Sequence, residues 1–447
     1  MHTDFLISMA NNNIDKEAFI VNNNITLYRE FLTQYDDKVK YLKEHDIKQG
    51  EVVAVESDFS SQSTALLLAL IDNNNIIVPL TSALGAKKEE FCKIAKVQSY
   101  IKLTDDGNII VKHIESDGQH ELYKVLRDKS HPGIVFFSSG STGASKGAVH
   151  DLIPILDKFK MPRKMKRMIT FLMFDHMGGL NTLLHNLSGG GCVITVRNRT
   201  PEAVLEIVEK YHVQVLPVSP TFINMMLLSE AYKKYNLSSL ETISYGTEVM
   251  PETTLKKLNI EFPNVRLVQT YGLSELGVMD TKSKSNDSLW VKLGGVGFET
   301  RVRENMLEIK ANSAMLGYLN APSPYTEDGW FMTMDMVEQD GEYYRILGRK
   351  SEIINVGGEK VYPAEVESFF LEMPGVEDVA VRGEQNPLMG NIVFAKFKIS
   401  TDESKKDFQK RMREFAKGKL VGYKIPQQIE LVSEEDIHSV RLKKDRK

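Results

Sequence analysis

Short β-branched or apolar runs alternate with amphipathic stretches along most of the chain, and the order in which they come predicts its architecture. Val52-Val53-Ala54-Val55 reads as a buried strand, residues 64–71 as an apolar helix, and Ile76-Ile77-Val78 as a second strand after the break at Asn73-Asn74-Asn75. A β-α-β order of this kind predicts parallel strands joined by right-handed crossovers. Ile134-Val135-Phe136-Phe137 is another buried-type strand. Further on, Thr200-Pro201-Glu202 marks a helix start, with a hydroxyl cap, proline at the first position and an early acid. That helix carries Val204, Leu205, Val208 and Tyr211, and Ser219-Pro220 opens a second helix in the same way. Strands are predicted over 213–217, 242–245 and 265–270.

The rhythm changes twice. Over 294–344 the pattern is short strands and turns without long helices, which predicts a small antiparallel β-barrel or sheet. Beyond Gly348, helices at 363–371 and 406–417 and strands at 376–381 and 392–398 make a compact α+β unit. The expected fold is therefore α/β: a large N-terminal domain over 1–350, including the β-barrel or sheet subdomain, and a small C-terminal domain over 351–447.

Composition narrows the function classes. A chain of 447 residues exceeds one ordinary core, and 42% hydrophobic with 26% charged residues is a soluble globular balance. A net charge of −4 supplies no basic face for nucleic acid. Cys92 and Cys192 sit in apolar runs without metal-ligand spacing and read as reduced thiols. The start Met1-His2-Thr3-Asp4 lacks the basic and apolar regions of a signal peptide, and the apolar run over 65–71 is too short for a membrane span, so the expected location is cytoplasmic. Nothing in the residues specifies an oligomeric state.

Candidate chemistry starts directly after the strand at 134–137, in Ser138-Ser139-Gly140-Ser141-Thr142-Gly143-Ala144-Ser145-Lys146-Gly147. Glycines let backbone N–H groups converge on an anion, hydroxyls add donors, and a lysine adds a mobile positive charge. The P-loop pattern does not fit, because Lys146 is followed by Gly147 instead of Ser or Thr. A flexible surface turn would use the same residue types.

Five segments in order extend the picture: this loop; Tyr271-Gly272-Leu273-Ser274-Glu275; Gly329-Trp330-Phe331-Met332-Thr333-Met334-Asp335; Gly348-Arg349 with Gly357-Gly358-Glu359-Lys360-Val361-Tyr362-Pro363; and the terminal Lys443 with Arg446. Together they resemble the adenylate-forming superfamily of acyl- and aryl-CoA synthetases, peptide-synthetase adenylation domains and luciferases. The resemblance implies that a carboxylic acid and ATP give acyl-AMP and pyrophosphate, and that a thiol then attacks the acyl-AMP. It assigns Ser138, Ser139, Gly140, Ser141, Thr142, Gly143 and Lys146 to the phosphates, and Glu275 to Mg²⁺, a hard cation suited to carboxylate oxygen. Ser274 would keep a hydroxyl for the α-phosphate, and Thr270, Tyr271 and Gly272, with the loop Gly246-Thr247-Glu248, would flank the adenine. Asp335 would accept the ribose hydroxyls, Arg349 would bridge ribose and phosphate, and Lys443 would reach the attacking carboxylate, with Lys444 as the fallback. Gly357 and Gly358 would line the path of a pantetheine arm, from coenzyme A or from the phosphopantetheine of a separate carrier protein.

Three positions depart from the family pattern: Met334 replaces a glycine, Ser351 replaces a hinge Asp or Lys, and Leu442 replaces a small residue. The segment Phe174-Asp175-His176-Met177-Gly178-Gly179 reads two ways. As an acyl-CoA synthetase, His176 lies on the acyl side and the glycines open space for an acyl chain. As an amino-acid ligase, Asp175 binds a substrate ammonium.

Overall fold

The computed structural model describes residues 1–104, 108–139, 145–161, 163–386 and 389–432. Two seven-stranded sheets form the large part of the molecule. One is parallel through Arg266–Gln269, Thr242–Tyr245, Val215–Val218, Arg167–Thr170, Cys192–Thr195 and Glu17–Val21, and closes antiparallel on Asn24–Leu27. The other is parallel through Gly133–Ser139, Ile76–Leu80, Val52–Glu56 and Ser99–Leu103, with antiparallel strands at both edges. The strands Val52–Glu56 and Ile76–Leu80 are buried at every position, as continuous β-branched runs demand. Val52 and Ile76 pair in register with the helix Ser61–Asp72 between them, so the expected β-α-β unit is present.

The predicted helix starts hold. The Thr200 hydroxyl accepts from Ala203 N–H, and the Ser219 hydroxyl accepts from Phe222 N–H at 3.1 Å.

A third, six-stranded antiparallel sheet follows, running from Asp280–Ser283 at one edge to Phe298–Arg303 at the other. Its ladder has two ends, so of the two expected forms it takes the open sheet and not the closed barrel. The last sheet has five strands between Ile354 and Leu431, covered by helices Pro363–Phe370 and Lys405–Ala416 around a core of its own. It touches the large part through polar contacts: Asn224 Nδ2 donates to Glu377 O at 3.2 Å, and Glu252 N–H donates to Ser368 Oγ at 3.2 Å. Among the described residues no helix is long and apolar enough to cross a membrane.

One half-buried imidazole gives the fold an acid-sensitive point. His185, on the helix Met177–Ser188, has its Nδ1 2.9 Å from an Arg163 guanidinium nitrogen. Burial, then Arg163 and Lys158, pull it down to about 4, against the smaller opposing pull of Asp280. A histidine whose folded pKa is depressed leaves the unfolded chain binding more protons between the two values, so stability falls as pH drops below the ordinary value. Urea unfolding at pH 7.5 and at pH 5 should differ by about 2 kcal/mol from this group, and His185→Gln, which keeps an acceptor for Arg163, should remove that difference. An unchanged difference in the variant would exclude His185 as its source.

Candidate active site

The strand Gly133–Ser139 runs antiparallel to Ser145–Asp151, with Ser139 opposite Ser145, so the Gly/Ser loop joins two strands at the carboxyl end of the parallel sheet. Gly140, Ser141, Thr142 and Gly143 lie outside the described residues, and so does the Ser139 side chain. The downstream leg is pinned firmly. Asn320 Oδ1 accepts from Gly147 N–H at 3.1 Å, and Asn320 Nδ2 donates to Ser145 O at 2.8 Å. Gly317–Tyr318 adds to the same sheet as an edge strand, with Tyr318 opposite Ala148. This pairing brings the Tyr318 ring within 5.5 Å of the Lys146 ammonium, at cation–π range.

Tyr318 also reaches the next segment, because its hydroxyl donates to Glu275 Oε1 at 2.8 Å. Glu275 stands in the turn of a two-strand hairpin, Gly272–Leu273 against Gly277–Val278. That turn demands glycine at Gly272, where a Cβ would lie 2.7 Å from Gly277 O. Burial and the Glu275 charge push the Tyr318 phenol far above its ordinary value, so it stays a donor.

Tyr271, just before the hairpin, is buried in the same apolar cluster as Ala148 and Leu276. Its hydroxyl donates to Asp335 Oδ2 at 2.6 Å, so it does more than present a flat face. Asp335 pairs across the third sheet with Arg349, whose Nε is 3.6 Å from Asp335 Oδ1. Burial raises the Asp335 carboxyl, while Arg349 and Tyr271 pull it down. Burial would lower Arg349, but Asp335, Glu275 and Glu352 together hold its net value above the ordinary one. Each carboxylate oxygen offers more than one acceptor direction, so Asp335 keeps capacity for a further donor. Met334 adopts φ +62°, the left-handed backbone that glycine accepts freely, and its side chain is exposed. The substitution thus leaves a glycine-like backbone in place at a cost of about 1–3 kcal/mol.

The two segments expected beside the adenine also converge. A Cβ on Gly246 would lie 2.4 Å from Thr270 Oγ1, so only glycine permits the two loops to approach this closely. Thr270 N–H and Oγ1 both donate to Tyr245 O, at 2.7 and 3.1 Å. Thr247 has φ +72°, and Glu248 Oε2 accepts from Thr221 N–H and Oγ1 at 3.2 and 2.7 Å, at the start of the helix Pro220–Ser229. Glu248 is therefore engaged in holding that helix.

Other expected members stand apart. His176 caps the helix Met177–Ser188, its Nδ1 accepting from Gly178 N–H at 3.0 Å. A Cβ on Gly178 would strike Leu172 Cδ1 at 2.6 Å, and one on Gly179 would strike Met173 O at 2.3 Å. The room left by these glycines is filled by the chain's own Leu172 and Met173, which corrects the expectation that it opens toward an acyl chain. Asp175 is buried, and with Asp58 it lies in the field of Arg199. Gly357 and Gly358 form the exposed tip of the hairpin Ile354–Val356 to Glu359–Val361, with Met389 beside Gly357 and open space around Gly358. Ser351 falls in a short 3₁₀ turn, Lys350–Glu352. Lys443, Lys444, Leu442 and Arg446 lie outside the described residues.

Sequence reasoning missed Tyr318, Asn320 and His150. The only local mark of Tyr318 and Asn320 is their place after Gly317, which reads as an ordinary turn, and His150 stands in a short apolar run without a motif of its own.

No group of three or more His, Cys, Asp or Glu side chains among the described residues is placed to hold a metal ion. Glu275 offers one hard oxygen donor, which fits Mg²⁺ held by one carboxylate plus substrate phosphates.

Two seven-stranded α/β sheets, a small α+β unit with its own core, and a carboxylate–arginine–tyrosine cluster in reach of Glu275 and Lys146 are the features of the adenylate-forming class. The chain belongs to the AMP-binding enzyme family, which matches residues 7–304, and the AMP-binding enzyme C-terminal domain matches residues 365–442. It is similar to an indoleacetate–CoA ligase of Aromatoleum aromaticum, 28% identical over 336 residues that cover 68% of this chain. The match spans 64% of that ligase, slightly under two thirds of its length. A 4-coumarate-CoA ligase 1 of Narcissus pseudonarcissus is 28% identical over 389 residues, 74% of this chain and 70% of that one. In fold, the chain resembles the anthranilate CoA ligase AuaEII in complex with anthranoyl-AMP, with a TM-score of 0.84 at 17% identity, covering 100% of this chain and 95% of that one. The amide bond synthetase McbA from Marinactinospora thermotolerans shares the fold at a TM-score of 0.76 and 20% identity, covering 100% and 98%.

Proposed function

We propose that the chain is an AMP-forming acid–thiol ligase that activates a carboxylic acid with ATP and passes the acyl group to coenzyme A. The carrying observation is the buried Asp335, with Arg349 and Tyr271 on its oxygens, in electrostatic reach of Glu275, which Tyr318 ties to Lys146. One end of this cluster suits ribose hydroxyls and the other suits phosphates and their cation. The ligases named above support the same reading.

In the first step a carboxylate oxygen bonds to the α-phosphorus and the bond to the bridging oxygen breaks, releasing pyrophosphate. Two anions must approach, so cationic and N–H groups there lower the barrier. Mg²⁺ bound at Glu275 would neutralise phosphate charge. Lys146 and the Gly/Ser loop would hold the departing pyrophosphate, and Lys443 would draw the carboxylate to the phosphorus. In the second step the thiol sulfur bonds to the acyl carbon, AMP leaves, and the thiol proton passes to solvent. Gly357 and Gly358 would admit the pantetheine arm after the small domain, placed at 351–447 against 1–350, has turned. We place the enzyme in the cytoplasm, where Cys92 and Cys192, pushed up to about 11 and about 12 by burial, stay reduced.

A carrier-protein phosphopantetheine as acceptor is the alternative thiol. An amino acid is disfavoured as the acid, because Arg199 already supplies cationic charge near Asp175.

Exchange of labelled pyrophosphate into ATP over a panel of aryl, acyl and amino acids is the test. Exchange with an aryl or aliphatic acid, and AMP release that requires coenzyme A, is the expected result. No exchange with any acid would overturn the proposal, and release that requires a carrier protein would transfer the acceptor role to it.

A further inference from the structure

His150 lies on the strand Ser145–Asp151, four residues beyond Lys146, and is fully buried. Its Nε2 is 2.7 Å from Ser274 O and its Nδ1 is 3.2 Å from Ser313 O. A carbonyl oxygen only accepts, so Nε2, at the shorter distance, carries the proton and donates to Ser274. Burial pulls the imidazole below its ordinary value against the opposing pull of both carbonyls and Glu275, which favours a neutral ring.

The contact completes a pattern in the turn that bears Glu275. Three successive carbonyls of that turn each receive a donor. Ser274 O takes the His150 proton, Glu275 O takes Met315 N–H at 2.7 Å, and Leu276 O takes the Ser313 hydroxyl at 2.6 Å. The last two donors belong to the connection after Met306–Ala311. Only His150 comes from the strand that continues the Gly/Ser loop. The ring also packs edge-on against Phe136, at 6.2 Å between centroids, on the strand that enters the same loop.

We propose that His150 is a positioning residue that fixes the Glu275 turn relative to the strand that carries Lys146, so that the Glu275 carboxylate and the Lys146 ammonium grip one magnesium–triphosphate unit. The inference rests on the proposed nucleotide reading of this site. His150 itself touches neither the carboxylate nor any reacting atom. Without its donor the turn keeps its anchors on Ser313 and Met315 and the Tyr318 contact on its carboxylate, and loses the hydrogen bond that its backbone receives from the strand of Lys146. The Glu275 turn is then held less firmly against that strand, which weakens a ligand that must bridge Glu275 and Lys146.

The test compares His150→Phe, which keeps a ring against Phe136, and His150→Gln, which keeps a donor, with the unaltered protein. Calorimetric titration with ATP at fixed Mg²⁺ gives affinity without turnover. Pyrophosphate exchange and thioester formation from supplied acyl-AMP give the two half-reactions. The His150→Phe variant should bind MgATP about tenfold more weakly and need about tenfold more Mg²⁺ for half-maximal exchange, the scale of removing an outer support of a metal ligand. Thioester formation from supplied acyl-AMP should stay within about twofold, and His150→Gln should recover most of the MgATP affinity. An MgATP affinity of His150→Phe within about twofold of the unaltered protein would overturn the inference, as would equal loss in both half-reactions. If His150→Phe does not fold, His150→Gln decides by the same affinity, and its failure to bind MgATP within about threefold of the unaltered protein counts against the donor role. Should the unaltered protein bind MgATP but exchange pyrophosphate with no acid, the ligase reading fails while the calorimetric comparison still judges His150.

Discussion

Glu275→Ala is expected to lower acid-dependent pyrophosphate exchange by about 10²- to 10³-fold, because a metal or oriented dipole at the developing phosphate charge contributes several kcal/mol. Thioester formation from supplied acyl-AMP should fall far less, since pyrophosphate has left before that step. The split is the informative part. Glu275 Oε1 accepts from Tyr318, and its backbone carbonyl accepts from Met315 N–H, so alanine keeps the backbone anchor and loses the carboxylate. The melting temperature should therefore move little, by about 0–3 °C for loss of one half-buried side chain with its backbone anchor kept. Equal loss in both half-reactions would show Glu275 to be a structural support and remove it from the metal role.

Asp335→Ala is expected to raise the ATP concentration for half-maximal exchange by about 10²- to 10⁴-fold, from the loss of two hydrogen bonds to a charged acceptor at about 1.5–3 kcal/mol each. Here stability moves as well. Tyr271 is buried and its hydroxyl donates to Asp335 at 2.6 Å, so the variant leaves that donor without its acceptor, at about 1–3 kcal/mol. Arg349 loses the carboxylate 3.6 Å away, although Glu275 and Glu352 still act on it. Titration with ATP and with inorganic triphosphate separates ribose recognition from phosphate recognition. ATP binding should weaken, and triphosphate binding should stay nearly unchanged. An equal weakening of both would mean that Asp335 orders the whole pocket and does not read the ribose.

Much of this was legible along the chain. The β-branched runs at Val52 and Ile76, and the hydroxyl–proline starts at Thr200 and Ser219, predict elements from local rules: burial of a continuous apolar strand, and satisfaction of the first helical N–H groups. Glu275, Asp335 and Arg349 stand in short motifs whose residue types suit the proposed chemistry, and the structure puts them within electrostatic reach of one another.

Elsewhere the local signal pointed the wrong way. Two adjacent glycines, Gly178 and Gly179, read as an opening for a ligand, but absent side chains create room for whatever packs there first, and Leu172 and Met173 take it. Met334 stands where the family pattern has a glycine, and its backbone keeps a glycine-like φ of +62° between paired strand positions.

The sequence by itself determined the order of elements and the identity of the charged groups, because strand burial, helix capping and the chemistry of a carboxylate depend on residues close in the chain. Only the tertiary structure decided which of those groups share a site and what holds them there. Tyr318 meets Glu275 across 43 positions, Asn320 clamps Ser145 across 175, and His150 reaches Ser274 across 124. Such partners are chosen by sheet order and edge pairing, which bring distant segments into contact without leaving a periodic or spaced mark in either one.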